Sequence, residues 1–283
     1  MQITNSTLFT LKIINTIQKG KIHSVYRKTI NILFNSQLIA IQCVGSPLSP
    51  ISMISDLSAE DFNSLDVNAG DLVSVTASKL IIHREHKSDL SFDFSKCEFY
   101  STFLDTSLST SNLKTLQESI QSILLSGECD GIARIRTPFP NSDIPLYLPV
   151  AEKDLQDSFN AFNSKHWNES ACFLGRLIGL GIGLTPCGDD FLCGALAGLI
   201  LCGRAEHPFT KELKEYIHQH LADTNDISSA FLNCALQQHF SLPVHLAAQG
   251  IPTEIIDTLF KQIGHSSGMD TLCGISYILE LKF

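Results

Sequence analysis

The chain has 283 residues, of which 44% are hydrophobic and only 17% are charged, and its formal net charge is −9. This composition excludes intrinsic disorder for most of the chain, because disordered segments lack apolar surface to bury. The acidic balance argues against nucleic-acid binding, since phosphate backbones are held by fields of Lys and Arg. Small anions are not excluded, because backbone amides bind them without a basic side chain.

Short β-branched and apolar runs in the first third of the chain predict a sheet. These runs cover residues 21–27, 29–34, 38–44, 51–54, 72–76 and 79–84, with a weaker alternation at 92–100. Asn35-Ser36 is a two-residue turn signal that predicts a hairpin, and Ser58 is placed to cap a short helical turn. Strict alternation along the first run predicts that His23 and Ser24 lie on opposite faces.

The apolar period changes to that of helices after about residue 112. The predicted helices cover residues 113–124, 155–162, 169–180, 190–201, 211–221, 228–240, 253–263 and 270–281. Thr224 or Asp226 is expected to cap the helix that begins near residue 228. The apolar run 191–203 would span roughly 20 Å as a helix, which is too short for a bilayer and predicts a buried helix.

A β-rich part followed by a mostly helical part predicts an α+β fold. We expect a β-rich N-terminal domain at 1–105 and a helical domain at 112–283 that carries two glycine-loop/helix units. The Ser- and Thr-rich residues 101–111 are the linker between them. The first residues lack the features of a signal peptide. Nine cysteines without a CxxC pair favour a reducing cytoplasm over a disulfide framework or a zinc site.

The densest motif, GLGIGLTPCGDDFLCG, covers residues 179–194. Its glycines allow the backbone to approach a ligand closely, and the helix that follows offers free N–H groups and the positive end of its dipole. Such a loop suits a small anion, such as phosphate or a carboxylate. Asp189 and Asp190 leave three other roles open: capping the helix, binding a metal cation, or accepting a hydrogen bond from an amide or ammonium group.

A second motif, GHSSGMDTLCG at residues 264–274, repeats the first at an offset of 80 residues. With Gly188 set against Gly268, five of seven positions are identical. The identical positions include the pairs Asp190–Asp270 and Gly194–Gly274. We hypothesise that the two helices pack through Gly194 and Gly274, and that their N-terminal loops face one shared site.

The two motifs resemble those of a bacterial family long known as a domain of unknown function. Its named members are the third (H) subunit of oxamate carbamoyltransferase, in anaerobic allantoin breakdown. The family pattern G-x-G-L-T-P-x-G-D-D is matched at 181–190, and G-H-S/T-S-G-x-D is matched at 264–270. KIHSVYRKTINI at 21–32 is similar to the family's opening strands, and DISSAFL at 226–232 is similar to its middle helix. Cys187 departs from the family, in which a Ser or another small residue is expected.

The resemblance implies a subunit of a multi-subunit enzyme that converts oxalurate and phosphate to oxamate and carbamoyl phosphate. It implies partner subunits, one of them similar to succinyl-CoA synthetase. No cofactor is expected, with Mg²⁺ left open; the net charge argues against nucleic acid and the short apolar run against a membrane span. The implied catalytic residues are His265 for proton transfer, and Asp189 and Asp190 to orient the carbamoyl NH2 group. The residues implied to bind the small anionic substrates (phosphate, carbamoyl phosphate and oxamate-like acids) are Gly183, Thr185, Gly188, Ser266, Ser267, Gly268 and Asp270.

Two other functions are compatible with the same residues. In a metal-dependent hydrolase, Asp189, Asp190, Asp226 and Asp270 would supply oxygen ligands for Mg²⁺. Alternatively, the chain is a non-catalytic structural subunit whose apolar composition reflects contacts with its partners. Calorimetric titration with Mg²⁺ or Mn²⁺ tests the first alternative, and the solubility of the chain expressed alone tests the second.

Overall fold

The computed structural model describes residues 1–126, 130–135 and 144–283. It divides into two compact units, Met1–Thr102 and Phe103–Phe283. The first unit is built on a curled nine-stranded sheet and the second is mostly helical, which confirms the predicted α+β class. The eight described cysteines are free, and Cys129 lies outside the described residues.

The first unit contains nine strands and two helices. The strands are β1 Ile3–Thr7, β2 Lys19–Tyr26, β3 Thr29–Phe34, β4 Gln37–Gln42, β5 Ser52–Ser55, β6 Leu72–Val75, β7 Lys79–His83, β8 Leu90–Asp93 and β9 Glu98–Tyr100, and the helices are α1 Leu8–Thr16 and α2 Ala59–Asn63. Their order in the sheet is β8-β7-β6-β2-β3-β4-β5-β1-β9. The β4–β5 and β1–β9 pairs are parallel and the other pairs are antiparallel. The Asp93 N–H donates to the Met1 carbonyl at 2.9 Å, which ties β8 to the start of the chain.

Local sequence explains several of these elements. Asn35 has a φ of 55° in the turn between β3 and β4, a left-handed conformation that Asn tolerates well. The predicted hairpin is therefore confirmed. The Ser58 hydroxyl accepts the Asp61 N–H at 3.1 Å, which confirms the predicted cap of α2. One face of the sheet is buried in a core of Ile, Val and Phe side chains, to which α1 adds Ile13 and Ile14.

The first unit also departs from the sequence-based expectations. No element is predicted for β1 and α1, where polar and apolar residues mix, yet Thr7 caps α1 in a capping box with Thr10. The predicted alternation at His23 and Ser24 is wrong. The β2–β3 register shifts between Ile22 and Ser24, and His23 Nδ1 lies 3.0 Å from Ser24 Oγ. Such a bulge adds a residue to one strand and breaks the period of two.

The second unit contains nine helices among its described residues. They are α3 Thr110–Ser126, α4 Tyr147–Asn163, α5 Trp167–Gly175, α6 Cys187–Leu201, α7 Pro208–Gln219, α8 Asp226–Leu236, α9 Leu242–Ala248, α10 Thr253–Lys261 and α11 Ser267–Glu280. Short 3-10 segments cover Gly131–Ile135 and Leu221–Asp223. Every predicted helix has a counterpart. The seven-residue α9 is not predicted, because it is too short to show a helical period.

Helix α6 lies at the centre of the second unit, with thirteen of its fifteen residues buried. This confirms the buried helix predicted for residues 191–203. None of the helices within the described ranges is long and apolar enough to cross a membrane. The predicted linker is anchored from Phe103 onwards: Leu104 is buried, and the Leu108 N–H donates to the Leu201 carbonyl at 2.8 Å.

Candidate functional site

Two glycines allow α6 and α11 to pack backbone against backbone. A Cβ placed on Gly194 would lie 2.0 Å from the carbonyl oxygen of Thr271, and one placed on Gly274 would lie 2.0 Å from that of Phe191. Real Cβ atoms do not approach oxygen this closely, so only glycine fits at either position. The predicted packing through Gly194 and Gly274 is confirmed.

The contact is symmetric under the 80-residue offset. Gly194 corresponds to Gly274, and the residues whose carbonyls they touch, Thr271 and Phe191, also correspond. The two helices are therefore related by a local pseudo-twofold axis, with their N-terminal ends on the same side. This arrangement brings together whatever the two preceding loops carry.

A second pair of matched glycines lies at the start of the helices. A Cβ on Gly188 would lie 1.9 Å from the Leu177 carbonyl oxygen, and one on Gly268 would lie 1.9 Å from the Phe260 carbonyl oxygen. The Gly188 N–H also donates to the Leu180 carbonyl at 2.9 Å. These glycines therefore hold the loops tightly against their helices, and the Gly188 N–H is already used by the protein.

The two loops meet through their hydroxyl groups. Thr185 Oγ1 and Ser267 Oγ are hydrogen-bonded at 2.9 Å, which confirms that the loops face each other. Both hydroxyls also form hydrogen bonds with the side chain of Asp190. Asp190 is the fourth residue of α6, which begins at Cys187. Burial raises the pKa of Asp190 to about 7, although these two hydrogen bonds oppose the rise.

Asp270 occupies the position in α11 that corresponds to Asp190 in α6. It is fully buried, and its Oδ1 accepts the Ala133 N–H at 3.2 Å. Gly131 has a φ of +71°, and a Cβ there would lie 2.3 Å from Asp270 Oδ2, so the 3-10 segment rests directly on this carboxyl group. Burial first and the Asp190 carboxylate second raise the pKa of Asp270 well above its usual range, against hydrogen bonds from the Ala133 N–H and the Ser266 hydroxyl.

Asp189 points away from Asp190 and anchors neighbouring segments. Its Oδ1 accepts the Gly179 N–H at 2.9 Å, and its Oδ2 accepts the hydroxyls of Thr224 and Ser228, each at 2.6 Å. Asn225, with its side chain on the N–H groups of residues 227 and 228, caps α8. The predicted cap, Thr224 or Asp226, is wrong, because the Thr224 hydroxyl is bonded to Asp189 instead.

Tyr147 and Cys187 add two groups to the same region. The Tyr147 hydroxyl interacts with the Cys187 thiol, and the charge of Asp270 contributes to raising the pKa of both groups. The Cys187 thiol also donates to the Leu180 carbonyl at 3.3 Å. Burial is the main cause that raises the pKa of each to about 12, so Cys187 is a protonated thiol rather than a nucleophilic thiolate.

His265 and Gly183 lie at the outer side of the loops. His265 Nε2 is 2.7 Å from Asp130 Oδ2, in a largely exposed pair just before the 3-10 segment. Gly183 has a φ of +105° with open space where a side chain would be, between the exposed Ile182 and Leu184. A carboxylate on one imidazole nitrogen orients the ring and leaves Nδ1 for proton transfer.

The structure thus sorts the predicted site residues into groups. Asp190, Asp270, Thr185, Ser266 and Ser267 converge between the two helix N-termini. Gly188 and Gly268 shape this centre, His265 lies at its rim, Gly183 faces outward, and Asp189 serves the loop and α8. Within the described ranges, no group of three His, Cys, Asp or Glu residues could hold a metal ion, so the Mg²⁺ hydrolase alternative gains no support.

The sequence does not indicate three of the residues near this centre. Tyr147 lies more than 35 residues before Cys187, and Asp130 and Gly131 lie more than 130 residues before His265. None of these three residues is part of a motif. Cys187 stands out only as a departure from a family pattern. The internal repeat indicates Cys187 more directly, because the 80-residue offset aligns it with Ser267, a predicted site residue.

Comparison with protein families supports both units. A family model described as oxamate carbamoyltransferase subunit AllH matches residues 177–279. A model described as the AllH family N-terminal domain matches residues 3–99. No solved structure matches the chain.

Proposed function

Because the chain belongs to the AllH family of oxamate carbamoyltransferase subunits, we propose that it contributes a substrate-binding site to such an enzyme. The reaction would be the phosphorolysis of oxalurate to oxamate and carbamoyl phosphate, in the cytoplasm, with partner subunits. The observation that carries the proposal is the meeting of Asp190 and Asp270, two enclosed carboxyl groups, where both glycine-loop motifs converge. Both motifs lie within the residues that match the family.

The chemistry of phosphorolysis suits these groups. A phosphate oxygen attacks the carbamoyl carbon, the bond from that carbon to the oxamate nitrogen breaks, and this nitrogen must gain a proton. An acid whose pKa is near neutrality is the best donor at physiological pH. The pKa of Asp190, raised to about 7 by burial, meets this requirement, and His265 at the rim is the second candidate for proton transfer.

The remaining predicted residues support these two in the proposal. Thr185, Ser266 and Ser267 hold the carboxyl groups and present hydroxyls to the substrate. Gly183 leaves open space beside the loop, whereas Gly188 and Gly268 let the loops pack closely on the helices. Asp189 retains a positioning role, because both its oxygens accept hydrogen bonds from the protein. In the proposal, the hydroxyls of Thr185, Ser266 and Ser267 are oriented donors that stabilise the oxyanion developing on the carbamoyl oxygen.

The test is reconstitution of the full chain with its partner subunits, followed by measurement of carbamoyl phosphate formed from oxalurate and phosphate. Asp190→Asn and His265→Ala are compared with the wild type and with Asp105→Asn, a change at an exposed residue of the same unit. We expect turnover to fall by about 10²-fold or more for Asp190→Asn, the usual size of a lost acid–base group, and to be unchanged for Asp105→Asn. Full turnover of both site variants in intact complexes would favour the non-catalytic alternative.

A further inference from the structure

The pseudo-twofold axis makes Asp190 and Asp270 a pair. Each is the fourth residue from the N-terminus of its helix, α6 or α11, and each is hydrogen-bonded by hydroxyl or backbone groups of the loops. The charge of Asp190 raises the pKa of Asp270, so the two carboxyl groups lie near each other. Neither is needed to hold the helices together, because the glycine contacts do that.

Both carboxyl groups keep one oxygen unused. Asp190 Oδ2 and Asp270 Oδ2 are enclosed by protein, and neither has a hydrogen-bond partner among the described residues. Asp270 is itself fully buried. Buried polar atoms of folded proteins are almost always hydrogen-bonded, so two enclosed acceptors in one place call for a ligand that brings donors.

The surroundings select the charge of that ligand. Among the described residues, the titratable groups around the pair are Asp189, Cys187 and Cys193 on α6, Tyr147 on α4, and the Asp130–His265 pair at the rim. Burial and carboxylates raise the pKa of both acids, and the groups that oppose the rise are hydroxyls and backbone N–H groups rather than cations. The Gly188 N–H donates to the Leu180 carbonyl and is therefore not available to an anion. A phosphate or carboxylate would therefore find no cationic counter-charge among the described groups that act on the two acids.

We propose that Asp190 and Asp270 together bind the unsubstituted NH2 group of a neutral amide or ureide, one N–H to each free oxygen, while the anionic end of the ligand is held elsewhere in the enzyme. This inference rests on the proposed function and deepens it, since it assigns the carbamoyl or oxamate NH2 group to this chain and the phosphate to another part of the complex. A primary amide carries two N–H donors, which equals the number of free oxygens.

A matched set of ligands tests the inference without any mutation. Oxamate and oxalate have nearly the same shape, but oxalate has a carboxylate oxygen where oxamate has NH2, and N-methyloxamate lacks one of the two N–H groups. Binding is measured by calorimetry on the full chain, alone and assembled with its partners. We expect oxamate to bind at least about tenfold more tightly than oxalate or N-methyloxamate, and inorganic phosphate not to compete with oxamate on the chain alone.

Variants localise the effect. Asp190→Asn and Asp270→Asn, which replace one acceptor oxygen by an NH2 donor, are expected to weaken oxamate binding about tenfold or more, and Asp105→Asn to leave it unchanged. Circular dichroism establishes that each variant is folded, and the ligand series on the wild type stands if one is not.

Three results overturn the inference: oxalate binding as tightly as oxamate, ammonium chloride displacing oxamate, or no binding of oxamate to the chain or the complex. The proposed function is judged separately by carbamoyl phosphate formation. If the complex forms carbamoyl phosphate but binds oxalate and oxamate equally, the proposed function stands and the inference fails. An inactive complex whose chain still prefers oxamate has the reverse outcome.

Discussion

Gly194 places its bare Cα against the backbone carbonyl of Thr271, and a Cβ at Gly194 would lie 2.0 Å from that oxygen. The same relationship joins Gly274 to Phe191. We expect Gly194→Ala and Gly274→Ala each to lower the free energy of unfolding by about 2–3 kcal/mol, because the helices must separate to admit a methyl group. Urea denaturation measures the change.

Gly198 supplies the control in the same helix. A Cβ there would first meet Ile278 Cβ at 3.0 Å and then backbone atoms of Ile275 at 3.3 Å, so the neighbours need to move by only a few tenths of an ångström. Alanine also gains up to about 1 kcal/mol over glycine in helix propensity. Gly198→Ala should therefore cost clearly less than Gly194→Ala, and equal losses at the two positions would refute the idea of a backbone-to-backbone crossing.

Asp189 is a structural anchor in this geometry. Its oxygens accept three hydrogen bonds, from Gly179, Thr224 and Ser228. Asp189→Asn turns one acceptor into a donor that faces two hydroxyls, so we expect the protein to lose about 2–3 kcal/mol of stability. Thr224→Val, which removes one of the three bonds, should cost about 1 kcal/mol. A smaller loss for Asp189→Asn than for Thr224→Val in thermal or urea unfolding would contradict this role.

The raised pKa of Asp190 makes stability depend on pH in a definite direction. The group has a pKa of about 7 in the folded chain and its ordinary value of 3.8 when unfolded. Between these values the folded state retains a proton that the unfolded state has lost, so stability falls as pH rises from about 4 to about 7 and then levels off. One group contributes at most about 1.4 kcal/mol per pH unit.

Asp190→Asn should remove this contribution and flatten the profile in the same window. Urea unfolding at pH 4.5, 6 and 7.5 is the measurement, with Asp105→Asn as the variant that keeps the wild-type slope. Asp270, whose pKa is raised further by burial and by Asp190, acts in the same direction over a range that extends to higher pH. Identical slopes for the wild type and Asp190→Asn would show that Asp190 ionises normally in the folded chain.

Cys187 occupies the place that Ser267 has in the other half of the pair. A thiol donates hydrogen bonds weakly, whereas the Ser267 hydroxyl bonds the corresponding acid, Asp190. We expect Cys187→Ser to place a stronger donor near Asp270 and to lower the pKa of Asp270. Carbon-13 NMR titration of the Asp carboxyl groups measures it. Cys202→Ser, at the C-terminal end of α6, should leave the pKa of Asp270 unchanged.

Repetition within the sequence explains how much of this site can be foreseen. The 80-residue offset aligns Gly194 with Gly274 and Asp190 with Asp270, and it correctly predicts a close helix pair with meeting loops. The different orientations of the adjacent carboxylates, Asp189 and Asp190, are not foreseeable. They depend on which segments pack beside α6.

Contacts that join distant segments leave no pattern in the chain. Gly131 touches Asp270 across 139 positions of sequence, and neither residue type nor spacing signals it. In the first unit, β1 pairs with β5 and β9, which lie far along the chain, so its identity as a strand comes from those partners rather than from its own residues. Periodicity reports which face of an element is buried, and it does not report against what.

The pseudo-twofold relation of α6 and α11 also has a consequence for ligand orientation. A fully symmetric pair of acids would accept an asymmetric molecule equally well in either of two poses. One of these poses would present the wrong end of the molecule to a partner subunit. The thiol of Cys187 opposite the hydroxyl of Ser267, and the Gly131 segment resting on Asp270 alone, remove that equivalence. The duplicated pair of helices therefore favours one orientation of an asymmetric ligand.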